Sequence, residues 1–295
     1  MKNKKIRRIG IIANLKKSMT LEEVKKLRQW LTRNHYSVIL SEDLADVLKE
    51  STHRSSISNL SQKTQLVIVL GGDGTLLWGA RSGAYGKNPV LGVNLGTFGF
   101  LAGVSVKELY PSLKKILQGN FTTEKRIMLE ARVWRAGKNK SAEMIWNHMA
   151  LNDAVISKET LARMVQLRIH VNNRLVTEYY ADGIIISTPT GSTAHSLSAG
   201  GPIVYPTVDA VIITPICPHT ISNRPLIIKG SDEVQVEVMS SHQNTYLTLD
   251  GQEGTPLQPG DLVKIRRAAR TLQLINSPVH DYYEVLQTKL HWGKR

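Results

Sequence analysis

One cysteine, Cys217, stands in 295 residues. An intrachain disulfide is therefore excluded, and without a Cys-x-x-Cys there is no thiolate zinc or redox motif. This scarcity fits a reducing, cytoplasmic setting. No apolar run approaches the roughly eighteen residues that cross a bilayer, so no membrane partner is expected. The opening MKNKKIRR followed by IGIIA has the order of a signal peptide, but the apolar stretch is too short and Lys16-Lys17 follows at once. Aromatics are sparse, with three Phe, and no arginine-rich or aromatic-interleaved tract accompanies the net charge of +14. The cations are scattered, from Lys2 to Arg8, through Lys25-Lys26 and Lys114-Lys115, to Arg266, Arg267 and Arg270. A solvated basic surface that attracts anionic nucleotides accounts for them, and no nucleic-acid partner is expected. With 41% hydrophobic residues the chain can bury a sizeable core, and its length suits about two domains.

The most informative segment is Leu66 to Leu77, LVIVL-GGDGT-LL. A short β-branched run bounded by glycine reads as a buried parallel strand. Gly71, Gly72 and Gly74 around Asp73 let a phosphate chain approach the backbone, because no Cβ blocks it. A carboxylate beside phosphate is costly unless a metal or a proton transfer is involved. The segment therefore has the composition of a phosphoryl-transfer site, with a tight strand-to-helix turn as the plain alternative. Neighbouring motifs fail: Leu77 stands where G-x-G-x-x-G needs its third glycine, and no Gly-Lys is followed by Ser or Thr.

The first hundred residues alternate strands and helices, which implies parallel βαβ units. Strands are expected at Ile9–Ala13, Val38–Leu40, Leu66–Leu70 and Val90–Asn94. Thr20 to Glu23 reads as a capping box opening a helix to about Asn34, and a short helix is expected from Asp43 to about Glu50. Val90–Asn94 runs into a second glycine loop, Gly96-Thr97-Phe98-Gly99-Phe100, with Phe98 expected in the core. In open parallel sheets ligands bind at the carboxyl ends of the strands, where both loops lie.

From Arg126 the pattern becomes all-β, with two packed sheets expected. Met128–Arg135 and Ser141–Trp146 flank Ala136-Gly137-Lys138-Asn139. Val165–Val171 and Leu175–Tyr180 flank Asn172-Asn173, which tolerate a left-handed hairpin turn. Three parts follow: 1–125, an α/β domain carrying GGDGT; 126–276, a β-rich nucleotide-binding domain; and 277–295, a tail packing back on the first domain.

Inside the β-rich part, Ile184–Ser187 is followed by Thr188-Pro189-Thr190-Gly191-Ser192-Thr193-Ala194-His195-Ser196-Leu197-Ser198-Ala199-Gly200-Gly201-Pro202. So many small polar residues pack a core poorly and offer hydroxyls and amides to a sugar or phosphate; a polar loop capping a short helix is the alternative. Gly-x-Ser-x-Gly is absent, which excludes a serine-hydrolase elbow. Asn152-Asp153 sets an amide beside a carboxylate, suited to a ribose diol or a base, although Asn-Asp is also a common turn. His219 lacks a second ligand nearby and reads as structural. Arg224 suits a loop pin as well as a phosphate.

Together GGDGT, Leu151-Asn152-Asp153 and the segment from Asp182 to Pro202 resemble the NAD kinase family in order, spacing and text. The resemblance runs from about Ile9 to Trp292 and includes Pro218-His219-Thr220 and Asn223-Arg224-Pro225. It implies an α/β N-terminal domain with parallel βαβ units and an all-β, sandwich-like C-terminal domain. It implies transfer of the γ-phosphoryl of ATP to the 2′-hydroxyl of the adenosine ribose of NAD, giving NADP, with a divalent metal, magnesium, and a homodimer or homotetramer. Asp73 takes the role of general base, and Gly71, Gly72 and Gly74 line the phosphates. Asn152, Asp153, Asp182, Thr193, Ala194, His195 and Ser198 match nucleotide contacts; no residue is assigned as a metal ligand.

Three positions depart from common family patterns. Asp153 stands where many relatives have Glu and reaches one methylene less. His195 stands where many have Tyr and could titrate near neutral pH, so nucleotide affinity is expected to weaken on acidification. Tyr180 stands where some NAD-preferring relatives carry Arg, which leaves NAD and NADH both open as acceptors. A lipid or sugar kinase of the wider glycine-aspartate superfamily and a non-catalytic NAD sensor are the other readings. Asp73 argues against the sensor, and the polar segment from Thr188 to Pro202 against the lipid kinase.

Overall fold

The computed structural model describes residues 6–15, 18–83, 85–96, 99–136, 142–158, 164–219, 224–239 and 245–292. Thr97, Phe98, the turn at 137–141, Thr220 and Asn223 lie outside them. The chain divides into two units, 1–125 with 271–295, and 126–270.

In the first unit the elements run β1 (Arg8–Ala13), α1 (Ser18–Arg33), β2 (Ser37–Ser41), α2 (Glu42–Val47), β3 (Arg54–Ser55), α3 (Leu60–Lys63), β4 (Leu66–Gly71), α4 (Asp73–Arg81), β5 (Pro89–Asn94), β6 (Val104–Ser105) and α5 (Leu109–Leu117). Their strands form a parallel sheet in the order β3-β2-β1-β4-β5, as the alternation predicts. All six residues of β4 are buried, which is why that strand reads as an unbroken apolar run. Val24, Leu27 and Leu31 of α1 pack on Ile9, Ile11, Leu66 and Ile68. The capping-box expectation is corrected: α1 begins at Ser18, and Thr20 is a buried residue inside the helix. Burial outweighed a local cap signal there. The segment 282–290 forms a helix that opens on a true capping box between Asp281 and Glu284 and buries Val285 and Leu286.

In the second unit one antiparallel sheet runs, in order, Arg174–Ala181, Val165–Val171, Val234–Val238 and Leu262–Ile275, and a second runs Leu226–Lys229, Ala210–Ile216, Gly183–Ser187, Asp153–Lys158, Thr245–Leu249 and Glu253–Leu257. Here β7 is Thr123–Ala136, β8 Ala142–Ala150, β9 Asp153–Lys158, β10 Val165–Val171, β11 Arg174–Ala181 and β12 Gly183–Ser187. After the four-residue helix α6 (His195–Ser198) come β13 (Ala210–Ile216), β14 (Leu226–Lys229), β15 (Val234–Val238), β16 (Thr245–Leu249), β17 (Glu253–Leu257) and β18 (Leu262–Ile275). Leu167, Ile169, Val234, Val236 and Val263 of one sheet share a core with Ile156, Ile184, Ile186, Ile213 and Leu247 of the other. This is the expected sandwich, with alternate residues facing inward. The β10–β11 turn has Asn172 and Asn173 at φ 50° and 64°, the left-handed pair its sequence called for.

Candidate active site

The GGDGT loop leaves β4 at the carboxyl edge of the parallel sheet, and Asp73 is the first residue of α4. None of Gly71, Gly72 and Gly74 adopts a left-handed backbone, so turn geometry does not require glycine here. Two of the glycines are explained differently. A Cβ at Gly71 would overlap the Thr75 side chain, so that glycine serves packing. A Cβ at Gly72 would meet nothing within 4 Å among the described residues, so there that glycine keeps a surface open beside a helix N-terminus. Such a terminus favours an anion.

The Asp73 carboxylate is fixed by the second glycine loop. Oδ2 accepts from Phe100 N–H at 2.8 Å, and Oδ1 accepts from Leu101 and Ala102 N–H at 3.1 Å each. A carboxylate offers about four acceptor positions, and among the described residues three are taken, which leaves one, on Oδ2. The loops are also tied by Leu95 N–H donating to Gly71 C=O at 3.3 Å. The two glycine loops read separately from the sequence thus form one structure around Asp73.

In the second unit the Leu151-Asn152-Asp153 turn is held by Asp250, a residue the sequence reading missed. Its carboxylate accepts from the N–H groups of Leu151 at 3.1 Å, Asn152 at 2.8 Å and Asp153 at 3.2 Å. The carbonyls are held as well: Asn152 C=O accepts from Thr188 N–H at 2.8 Å, Leu151 C=O from Thr188 Oγ1 at 2.6 Å, and Asp153 C=O from Asp250 N–H at 3.0 Å. Gly191 packs on the Asn152 backbone, where a Cβ would overlap it. The available signal was Asp250-Gly251, a hairpin pair, and both residues do take positive φ.

The hydroxyl-rich segment divides in two. Ser187, Thr188, Ser192 and Ser196 are fully buried and bonded internally: Ser192 Oγ donates to Pro189 C=O at 2.7 Å, and Ser196 Oγ pairs with Thr214 Oγ1 at 2.9 Å. The expectation that this composition packs poorly is corrected for these residues; they are core, satisfied by local hydrogen bonds. His195 and Ser198 are exposed and Thr193 and Ala194 half-buried. Asp182 pairs with Lys158 at 2.8 Å where β11 passes to β12. His219 donates its backbone N–H to Tyr180 C=O at 2.9 Å, consistent with a structural residue.

A cavity of about 500 Å³ opens beside this turn, lined by Val155, Ile185, Ile216, Thr248, His195 and Ser198 among others. Its floor is a cross-strand row, Thr248 opposite Val155 and Val155 opposite Ile185. An apolar floor with a few polar groups at the rim suits a flat heterocycle. Among the described residues the buried Asn152 Oδ1 has no hydrogen-bond partner. His195 Nδ1 lies 3.2 Å from both Asp153 oxygens. That hydrogen bond holds the imidazole pKa above its usual 6.5 against partial burial, with the charges of Asp153 and Asp250 adding to it. Among the described residues no group of three or more His, Cys, Asp or Glu could hold a metal ion.

The family model of the ATP-NAD kinase N-terminal domain matches residues 9–121, and that of the C-terminal domain matches 151–277. The chain is 42% identical over 289 residues to the NAD kinase of Magnetococcus marinus, covering 97% of this chain and 94% of that protein. The crystal structure of yeast NADH kinase complexed with NADH superposes with a TM-score of 0.89 at 25% identity, over 99% of this chain and 89% of that one. An NAD kinase from Archaeoglobus fulgidus, solved in complex with ATP, shares the fold with a TM-score of 0.72 at 22% identity, over 96% of this chain and 98% of that one. With both of its domains matched and a full-length relative at this identity, the chain belongs to the NAD kinase family.

Proposed function

We propose that the chain transfers the γ-phosphoryl group of ATP to the 2′-hydroxyl of the adenosine ribose of NAD, giving NADP and ADP. The observation that carries this reading is the Asp73 carboxylate, fixed by three amides beside the open face of Gly72. Phosphoryl transfer depends on positioning and charge stabilisation more than on covalent work by the protein. In the step, the ribose oxygen bonds to phosphorus as the bond from phosphorus to the ADP oxygen breaks. The hydroxyl proton passes to Asp73, whose remaining acceptor position lies on Oδ2.

Gly71, Gly72 and Gly74 form the phosphate loop, with Gly71 acting through its packing on Thr75. Asn152, Asp182, Thr193, Ala194, His195 and Ser198 contact NAD, with Asp153 buried behind His195. Magnesium would arrive on ATP, held by phosphate oxygens and several waters, and would neutralise phosphate charge. The remaining Asp73 position is left for the hydroxyl proton. The single cysteine supports a cytoplasmic enzyme. Apolar residues on edge strands, Leu175 and Val176 of β11 and Leu226 and Ile227 of β14, are exposed and support a homodimer or homotetramer.

The test is direct. Purified protein with ATP, magnesium and NAD is expected to form NADP, read by an NADP-specific dehydrogenase. Absence of NADP at high enzyme concentration overturns the proposal.

A further inference from the structure

Asp153, the acidic residue of the Leu151-Asn152-Asp153 turn, has no exposed surface. Both of its oxygens lie 3.2 Å from His195 Nδ1. An ionised carboxylate only accepts, so Nδ1–H is the donor, and in the neutral ring Nε2 is left as an acceptor. The imidazole is 56% exposed and forms part of the cavity wall, whereas Asp153 does not line it. The ring's far edge faces Gly251, where a Cβ would lie 3.3 Å from Cε1 and 3.8 Å from Nε2. Among the described residues the titratable groups around the ring are Asp153 on β9, Asp250 at the end of β16, and the Cys217 thiol in the cavity wall.

We propose that Asp153 acts on a bound nucleotide only through His195, fixing the ring so that Nε2 is the atom that meets a nucleotide hydroxyl or amine in the cavity. Asp153 is then a positioning residue and His195 the ligand contact. The short acid and the histidine, two separate departures in sequence, become one device. An Asp too short to reach the cavity is extended by an imidazole that can. Gly251 at φ 65° leaves the space the ring edge occupies. This inference rests on the reading of the second unit as the NAD-binding part.

A double-mutant cycle on the full chain tests it, with the Kd for NAD measured by calorimetry. His195→Ala is expected to weaken binding about tenfold and Asp153→Asn about three- to tenfold, the scale of one lost hydrogen bond. The double variant should match His195→Ala within about twofold, because Asp153 has no route of its own. Losses that multiply overturn the inference. Asp153 is buried, so folding of each variant is checked by thermal melting, and a second measurement uses the unchanged protein. The NMR titration of the His195 ring should move its midpoint when NAD saturates the site; an unmoved midpoint with NAD bound overturns the inference. Wild-type protein with no NAD affinity and no shift of that titration overturns both readings. NAD affinity with multiplying losses overturns this one alone.

Discussion

Gly99 leaves the space in which the Asp73 carboxylate lies: a Cβ built on Gly99 would overlap Oδ1. The same loop supplies the three amides that hold that carboxylate. Gly99→Ala must therefore push Asp73 out of register. The expected outcome is a fall in kcat of about tenfold or more with little change in the KM for NAD, since misplacement by an ångström is costly where positioning carries the rate. Steady-state kinetics at saturating ATP check this; an unchanged kcat would show that the carboxylate position is not critical.

Asp73→Asn keeps the size of the side chain and removes its basicity. We expect kcat to fall by about 10²–10⁴-fold, the range for loss of a general base, while NAD still binds in calorimetry. Retained turnover would leave positioning by the loop as the whole of the mechanism.

The glycines of GGDGT are separable. Gly71→Ala meets the buried Thr75 side chain and is expected to destabilise the fold by about 1–3 kcal/mol, the usual cost of overpacking. Gly72→Ala meets nothing among the described residues and should leave the melting temperature nearly unchanged while raising the KM for ATP. Equal effects of the two on stability, with none on ATP, would remove Gly72 from the phosphate site.

Asp250→Ala would strand three amide donors, at Leu151, Asn152 and Asp153, of which two belong to fully buried residues. At about 1–3 kcal/mol for each buried unsatisfied group, the two buried amides alone give an expected loss of at least about 2 kcal/mol in denaturant unfolding. Surviving folded protein should show a raised KM for NAD. A loss under about 1 kcal/mol would mean that water replaces the carboxylate.

His195 gives a pH signature with a defined sign. Its folded pKa lies above 6.5 because of the bond to Asp153. The charged pair therefore contributes stability that is full below the ordinary histidine value and is lost as pH rises through the raised one. The melting-temperature gap between the wild type and His195→Gln should be larger at about pH 5.5 than at about pH 8.5. NAD affinity should run the opposite way, weakening on acidification as Nε2 gains a proton and ceases to accept. A pH-independent KM for NAD would refute that part.

Much of this was legible in the sequence because the signals were local. The buried run of β4, the Asn172-Asn173 turn and the glycines at a strand end each declare themselves within a few residues. Asp250 did not, because the amides it holds lie 97–99 residues away in sequence. The Asp153–His195 contact spans 42 residues. The division of Ser and Thr into buried and exposed sets was hidden for the same reason: composition cannot tell a hydroxyl that meets a ligand from one that meets Val204 N–H, as Ser192 does. The start of α1 failed in the other direction, a persuasive local pattern overruled by burial of Thr20.

Every backbone N–H and C=O of Leu151, Asn152 and Asp153 is engaged by Asp250 or Thr188. A turn bonded at all six backbone groups has little backbone freedom to surrender when a molecule lands on it. The entropy of ordering, a large term in most recognition events, is thus settled during folding at this point. Analogues that differ by a single donor or acceptor should differ in affinity by the full worth of that atom, and a rigid template of this kind rewards exact shape over pliability in any inhibitor made for it.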